Sequence, residues 1–334
     1  MSESHVGLKG EEPRFVAVAA ADNCLRSARL KDASVQAAMQ PWIGMKCLQL
    51  SSGLDVADFK ALDLGDQQVV RERQHVAVQK FGTTPVNMCT ISYCTPAPGF
   101  RFSNRRSAGA ADIFLMPENT PFDLYVPAGA QTTYVSLDQR AFLRSARALN
   151  PRHWEKTPQH VTAFLTQHQT AFGDMVDGWF SAASTTAARG QLLDKPAVSR
   201  NIFESVLRLV SASTEDDWVP PAGWCIFRIC RKAKAFVEQC QDAGKLPTVA
   251  DLCAAAGVSE RTLQYAFQDY VGMSPVAYLR LCRLNDARAA LLRGDPQTIS
   301  VTNVAMQFNF EHLGRFAGDY KRLFGEAPSA TLAR

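Results

Sequence analysis

The chain has 334 residues, of which 46% are hydrophobic and 20% charged. That length exceeds what one hydrophobic core usually serves, so two domains are expected, and the composition excludes a disordered or fibrous protein. The formal net charge is +4, with 14 Lys/Arg against 10 Asp/Glu in residues 221–334 and 22 of each elsewhere, so the whole positive excess sits in the C-terminal third, where it would favour a polyanion.

Residues 1–20 read as a loose polar tail. The apolar stretch 16–21 near the N-terminus, seven residues with Phe15 before it, is followed by Asp22, too short for a signal-peptide core or a membrane span. Residues 21–140 are expected to form a β-domain. The segments 86–93, 112–117, 122–126 and 132–137 are short, rich in β-formers and separated by turn residues, which predicts an antiparallel sheet or barrel. Beyond Asp138 the composition turns helical, with helices expected over 141–149, 161–179 and 199–210; the segment 141–210 would pair two protomers or pack on its own β-domain. Residues 211–223 are polar and contain Pro220, Pro221 and Gly223, the composition of a linker. The remainder, 224–334, reads as helix throughout.

The nine cysteines include no C-x-x-C pair, which fits reduced thiols in a cytoplasmic protein. Cys89 and Cys94 read either as a redox pair or, more commonly for such residues, as small buried side chains.

The C-terminal segment carries the strongest pattern. Thr248 with Asp251 three residues on is a capping box, opening a short helix that runs through Ala256. Gly257 supplies a left-handed turn, Val258 an apolar anchor, and Ser259 caps a second helix over 260–270. Leu252, Val258, Leu263 and Phe267 are spaced to meet between the two helices. This is a helix-turn-helix, whose second helix can lie in a major groove. The pattern repeats about 52 residues later: Ser300 opens a helix containing Val304 and Ala305, Asn309 takes the place of Gly257, Phe310 that of Val258, and a second helix is expected from Glu311. Between the units, Ser274 and Pro275 start a helix that can run to Leu292 before Gly294, with Leu284, Ala287 and Leu291 as its buried stripe. Such a rod is about 25–30 Å long, against ~34 Å for one turn of B-DNA, so the two second helices could enter successive major grooves.

In the first of these helices Ser259 and Leu263 cap or face inward, while Arg261, Gln264, Tyr265 and Gln268 lie on the other side. Ser259 and Thr262 stand at a helix N-terminus, where backbone N–H groups can hold a phosphate. In the second unit Leu313, Gly314 and Gly318 offer little hydrogen bonding, which leaves His312 and Arg315 as polar candidates and favours shape or thymine-methyl contact. Lys321 and Arg322 are phosphate contacts or a solvated face.

The segments TVADLCAAAGVSERTLQYAF (248–267), GMSP (272–275), RLNDAR (283–288) and FEHLGRFAGDYKRLFGEAPS (310–329) resemble the DNA-binding domain of AraC/XylS-type transcription regulators. The resemblance covers residues 224–334. Cys253, where the family usually has Ala, and Asn309, where the second turn usually has Gly, depart from it. It implies base-reading residues at Arg261, Gln264 and Tyr265, where Arg suits guanine and Gln adenine. The stretch from Leu115 to Pro127 more weakly resembles the cupin-like sensing domains of the same family.

The expected fold is therefore α+β: an N-terminal antiparallel β-barrel of cupin-like kind with accessory helices, then an all-α domain of two helix-turn-helix units joined by a long helix. The implied partners are promoter DNA, RNA polymerase, a small-molecule effector of unknown identity and a second copy of the chain, with no membrane and no cofactor. The expected protein is a regulator, not an enzyme. Two other readings stand beside it: a dimeric regulator that takes no ligand, and a cupin-type metal enzyme with a DNA-binding tail. The second needs several converging His and a carboxylate. Only His75 falls in the strand-rich region, and no H-x-H, H-E-x-x-H or Gly-rich phosphate loop occurs; His75 reads as an ordinary surface or hydrogen-bonded residue.

Overall fold

The structure is a computed structural model and describes residues 24–103, 105–106, 112–215 and 224–334. The expected tail over 1–20 and most of the expected linker lie outside the described residues. In chain order the elements are β1 (Leu25–Leu30), α1 (Ala33–Ala38), β2 (Gly44–Gln49), β3 (Ala57–Asp63), β4 (Gln68–Gln74), β5 (Val78–Thr83), β6 (Met88–Cys94), β7 (Arg101–Phe102), β8 (Arg105–Arg106), β9 (Asp112–Met116), β10 (Pro121–Val126) and β11 (Gln131–Asp138). Then come α2 (Gln139–Leu149), β12 (Thr162–Leu165), α3 (Gln169–Ala188), α4 (Lys195–Ser211) and β13 (Thr214–Glu215). The rest is helical: α5 (Trp224–Asp242), α6 (Val249–Ala256), α7 (Glu260–Tyr270), α8 (Pro275–Arg293), α9 (Val301–Gln307), α10 (Leu313–Phe324) and α11 (Pro328–Leu332).

The mixed α+β architecture is as expected, but the closed barrel is not. The strands form two open antiparallel sheets, one in the order β1-β3-β4-β11-β6-β9-β12-β13 and one in the order β2-β5-β10-β7-β8. A barrel needs its edge strands to pair with each other; here the sheets instead share side chains face to face. Val78, Phe102, Phe122 and Val126 from the smaller sheet pack with Ala57, Cys94, Phe114 and Met116 from the larger.

Alternation along β6 shows how the larger sheet is buried on both faces. Cys89, Ile91 and Tyr93 join a core with Phe142 of α2, Phe172 and Val176 of α3, and Ile202 and Val206 of α4. Cys94 turns to the other sheet. The helices of 141–210 thus cover their own sheet. One expected helix there is corrected: 161–179 begins as strand β12, which pairs antiparallel with β9, and α3 starts only at Gln169. The edge of β9 away from β6 takes β12 as its ladder partner, and the alternation of Ala163 and Phe164 fills the two cores on opposite faces.

The C-terminal helices build two small cores joined by α8. Its first half gives Tyr278, Leu279 and Cys282 to a core with Phe227, Cys230, Leu252, Leu263 and Phe267. Its second half gives Leu284, Ala287 and Leu291 to a core with Val304, Phe310, Phe316 and Tyr320. Leu48 and Phe81 of the smaller sheet complete the first of these cores, so the β-rich part and the helical part meet in one hydrophobic seam. No helix among the described residues is long and apolar enough to cross a membrane.

Candidate nucleic-acid interface

The first helix-turn-helix unit is set by local hydrogen bonds. The Thr248 hydroxyl accepts from Asp251 N–H at 3.3 Å, and the Asp251 carboxylate accepts from Thr248 N–H at 2.8 Å. That reciprocal pair starts α6. The cost of leaving the helix is met at Gly257, with φ +71°, a conformation that glycine adopts without strain. Val258 N–H then bonds to the Cys253 carbonyl at 3.1 Å. The Ser259 hydroxyl accepts from Thr262 N–H at 3.2 Å and starts α7.

The second unit reproduces the turn with different residues. Asn309 takes φ +59°, and Phe310 N–H bonds to the Ala305 carbonyl at 2.9 Å, the counterpart of the bond from Val258. Phe310 then stacks on Phe316 at 4.8 Å between ring centroids. The helix starts later than expected. His312 is extended and makes no side-chain cap, and α10 begins at Leu313 rather than Glu311.

Every residue singled out from the sequence is exposed: Ser259, Arg261, Thr262, Gln264, Tyr265 and Gln268 on the first unit, and His312, Leu313, Gly314, Arg315, Lys321 and Arg322 on the second. The inward residues Leu263, Phe267 and Phe316 are buried, so each second helix has one face in the core and one in solvent. The Arg261 guanidinium lies 5.6 Å from the Tyr265 ring centroid, one turn on. Arg322 is exposed but bonds to Asp319 at 3.0 Å, and Asp319 also pairs with Arg280 of α8. Of the two amide positions suggested for phosphate, Thr262 N–H is already taken by Ser259.

Contacts across the seam are the residues that sequence reasoning missed. Lys234 of α5 bonds to Asp123 of β10 at 2.8 Å, and both are buried. Burial pushes the Asp123 carboxyl up, but Lys234 and Arg101 beside it outweigh that and hold it below its ordinary value. Burial likewise lowers Lys234, partly offset by Asp123. The second such contact is Arg288 of α8, which bonds to Asp32 at 2.6 Å and to Glu326 at 2.9 Å and stacks on Phe324. In the sequence these are ordinary charges; Asp123 and Lys234, and Asp32 and Arg288, lie more than 100 residues apart, and no local spacing marks them.

A cavity of about 50 Å³ lies between the two sheets, lined by Ile43, Met45, Phe100, Phe102, Met116 and Phe122, with the buried pair Glu72–Lys80 at its wall. Among the described residues no group of three or more His, Cys, Asp or Glu could hold a metal ion. His75 is paired with Asp58 at 3.0 Å.

Residues 252–334 match a family described as a helix-turn-helix domain. Over 85 residues the chain is 46% identical to the probable thc operon regulatory protein of Rhodococcus erythropolis, covering 25% of this chain and 26% of that protein. Over 82 residues it is 40% identical to XylDLEGF operon transcriptional activator 2 of Pseudomonas putida, covering 25% of this chain and 52% of that protein. The chain thus spans about a quarter of the first relative's length and about half of the second's. Among solved structures it is similar to the AraC-like transcriptional activator CuxR, 17% identical with a TM-score of 0.39, over 80% of this chain and 96% of that one. The C-terminal helix-turn-helix segment is thus similar to those of operon regulators of the XylDLEGF-activator kind.

Proposed function

We propose that the protein is a sequence-specific DNA-binding transcription regulator, an activator controlled by a small molecule bound in its β-rich part. The observation that carries the DNA-binding reading is the pair of helix-turn-helix units, each with an exposed polar helix face and each anchored on one end of α8. At 19 residues that helix is about 28 Å long, close to the ~34 Å of one duplex turn. In this reading residues 224–334 form the DNA-binding domain, residues 21–140 the sensing domain, and residues 141–210 a helical segment that packs on its own sheet and leaves its outer face to pair two copies. Arg261, Gln264 and Tyr265 read bases, while Lys321 contacts phosphate. Activation would proceed through RNA polymerase in the cytoplasm; the Pseudomonas relative is named as a transcriptional activator.

The small-molecule reading is supported by the cavity and its position. The Glu72–Lys80 pair, Gln40 and Tyr134 are polar groups of its wall, with Thr90, Ser92, Thr132 and Thr133, and the rest is largely apolar. A small, largely apolar molecule with one polar end suits that lining. At about 50 Å³ the space has room for only a few waters, so an effector must push the walls apart. The strand β10 is one wall: Phe122 and Leu124 line the cavity, and Asp123 between them carries the ion pair to Lys234. Displacing β10 therefore bears directly on the DNA-binding helices.

The test is selection of duplexes from a randomised pool by the full chain, followed by titration of the enriched sequence against a scrambled one. Tight binding of the enriched site that falls steeply with salt supports the reading; equal affinity for both duplexes overturns it. A thermal shift with one small molecule, lost in a Phe122→Trp variant that fills the cavity, supports the effector site.

A further inference from the structure

We propose that the smaller β-sheet sets the relative aim of the two recognition helices, with Arg101 and Gln49 as positioning residues for DNA reading. This rests on the DNA-binding reading above. The last turn of an α-helix leaves carbonyls without partners inside the helix. In both α7 and α10 one of these carbonyls is bonded by the same sheet. The Tyr270 carbonyl, the last of α7, accepts from Arg101 Nη1. The Arg101 guanidinium also lies 3.6 Å from the Tyr270 ring centroid, and the Tyr270 hydroxyl donates to the Ser103 carbonyl at 2.8 Å. A cation at that end of a helix is favoured by the helix dipole as well.

At the other unit the Leu323 carbonyl, one residue before the end of α10, accepts from Gln49 Nε2 at 2.8 Å and from Gly53 N–H at 3.0 Å. Gly325, left-handed just after α10, lies against Leu54, where an added Cβ would come within 3.1 Å of the Leu54 Cβ. The two anchors belong to one hydrogen-bonded unit: Gln49 ends β2, Arg101 starts β7, and β5 and β10 lie between them in the sheet. Asn285 of α8 fixes Gln49 further, accepting from its N–H at 2.9 Å and donating to its carbonyl at 3.1 Å.

The helix α8 alone fixes how far apart the two units stand. The angle between them rests on the packing of each small core against its own half of α8, which a second link between the units would reinforce. The sheet supplies that link and leaves the reading faces uncovered, since Arg261, Gln264, His312 and Arg315 remain exposed with the sheet docked. Occlusion of DNA is therefore not its role.

The experiment uses the full chain and a duplex enriched from a randomised pool, with one, two or three base pairs then inserted between the two contacted boxes. The wild-type protein is expected to lose roughly tenfold or more in affinity on a two-base-pair insertion, because the second helix misses its groove. Gln49→Leu and Arg101→Met should bind the uninterrupted duplex within about threefold of wild type yet lose most of that penalty. Asn285→Ala, at a half-exposed position, is the variant that keeps the test decisive if a buried substitution unfolds the chain. A spacing penalty unchanged in Asn285→Ala and in the folded variants overturns the inference alone. Failure of the pool to yield any enriched duplex overturns the DNA-binding reading and this one with it.

Discussion

Lys234 and Asp123 meet at 2.8 Å across the seam between α5 and β10, both buried, with Arg101 and Tyr270 packed around them. A charge in such a place is stable only with its partner. Lys234→Met should therefore destabilise the chain by about 3–5 kcal/mol, because it leaves the Asp123 carboxylate buried without its nearest counter-charge. The double variant with Asp123→Leu should recover much of that loss. Urea unfolding of the single and double variants checks this, and simple additivity of the two losses would contradict it.

The same pair predicts a direction with pH. Asp123 sits below its ordinary value when folded, held there by Lys234 and Arg101 against the push of burial. A carboxyl lowered in this way adds stability that is fully present above its unfolded value of about 3.9 and is lost as pH falls through the folded value. The stability difference between wild type and Asp123→Asn should thus be flat from pH 6 to 8 and shrink only below about pH 4. A difference that shrank near neutrality would place the controlling charge elsewhere.

For DNA the predictions separate two kinds of contact. Arg261→Ala should cost about 1–3 kcal/mol and relax preference at one base position, whereas Lys321→Ala should weaken all duplexes alike and reduce the salt slope by about one. Arg322→Ala should do less than Lys321→Ala, since its guanidinium is shared with Asp319. Titrations of the enriched duplex and of single-base variants of it at several salt concentrations distinguish these outcomes.

What the sequence made legible follows from the range of the interactions. Thr248, Gly257 and Ser259 act within a few residues of themselves, so their roles can be read from spacing. The stripe Leu284, Ala287 and Leu291 is equally local, and all three are buried. The start of α10 lies two residues past the expected one, because His312 provides no side-chain cap that would mark it. The residues of β12 have helical composition, and their strand identity comes from pairing with β9, some 50 residues earlier. Closure of the sheets is likewise decided by which edges pair, and alternation within a strand carries no information about that. The seam contacts of Asp123, Arg101 and Gln49 were invisible for the same reason. How the exposed reading residues engage a duplex is legible only as chemistry: Arg261 and Gln264 are suited to bases, and their order on α7 leaves the site sequence open.

Asn309 offers a local test of the second turn. Its φ of +59° lies in the left-handed region, which costs a residue with a Cβ and no helpful side chain about 1–2 kcal/mol. Asn309→Ala should lower the melting temperature by a few degrees, on the order of 1 kcal/mol, while Asn309→Gly should be neutral or slightly stabilising. The position is exposed, so neither change disturbs packing. An alanine variant as stable as wild type would mean that the turn rearranges.

The cysteines decide between a redox pair and buried side chains. Cys89 faces the helices covering the larger sheet and Cys94 faces the smaller sheet, so the two thiols point to opposite sides of one strand and cannot bond to each other there. Burial pushes the Cys94 thiol up to about 12, as it does those of Cys47, Cys230 and Cys282, and Cys89 is raised further in the same way. Thiolate is the reactive form, so none of these five should alkylate at pH 8 in the folded protein. Cys225, which is exposed, should react first with iodoacetamide. Peptide mapping by mass spectrometry after a short exposure, with and without urea, reads the order directly; rapid labelling of Cys89 or Cys94 without denaturant would restore the redox reading that their burial now argues against.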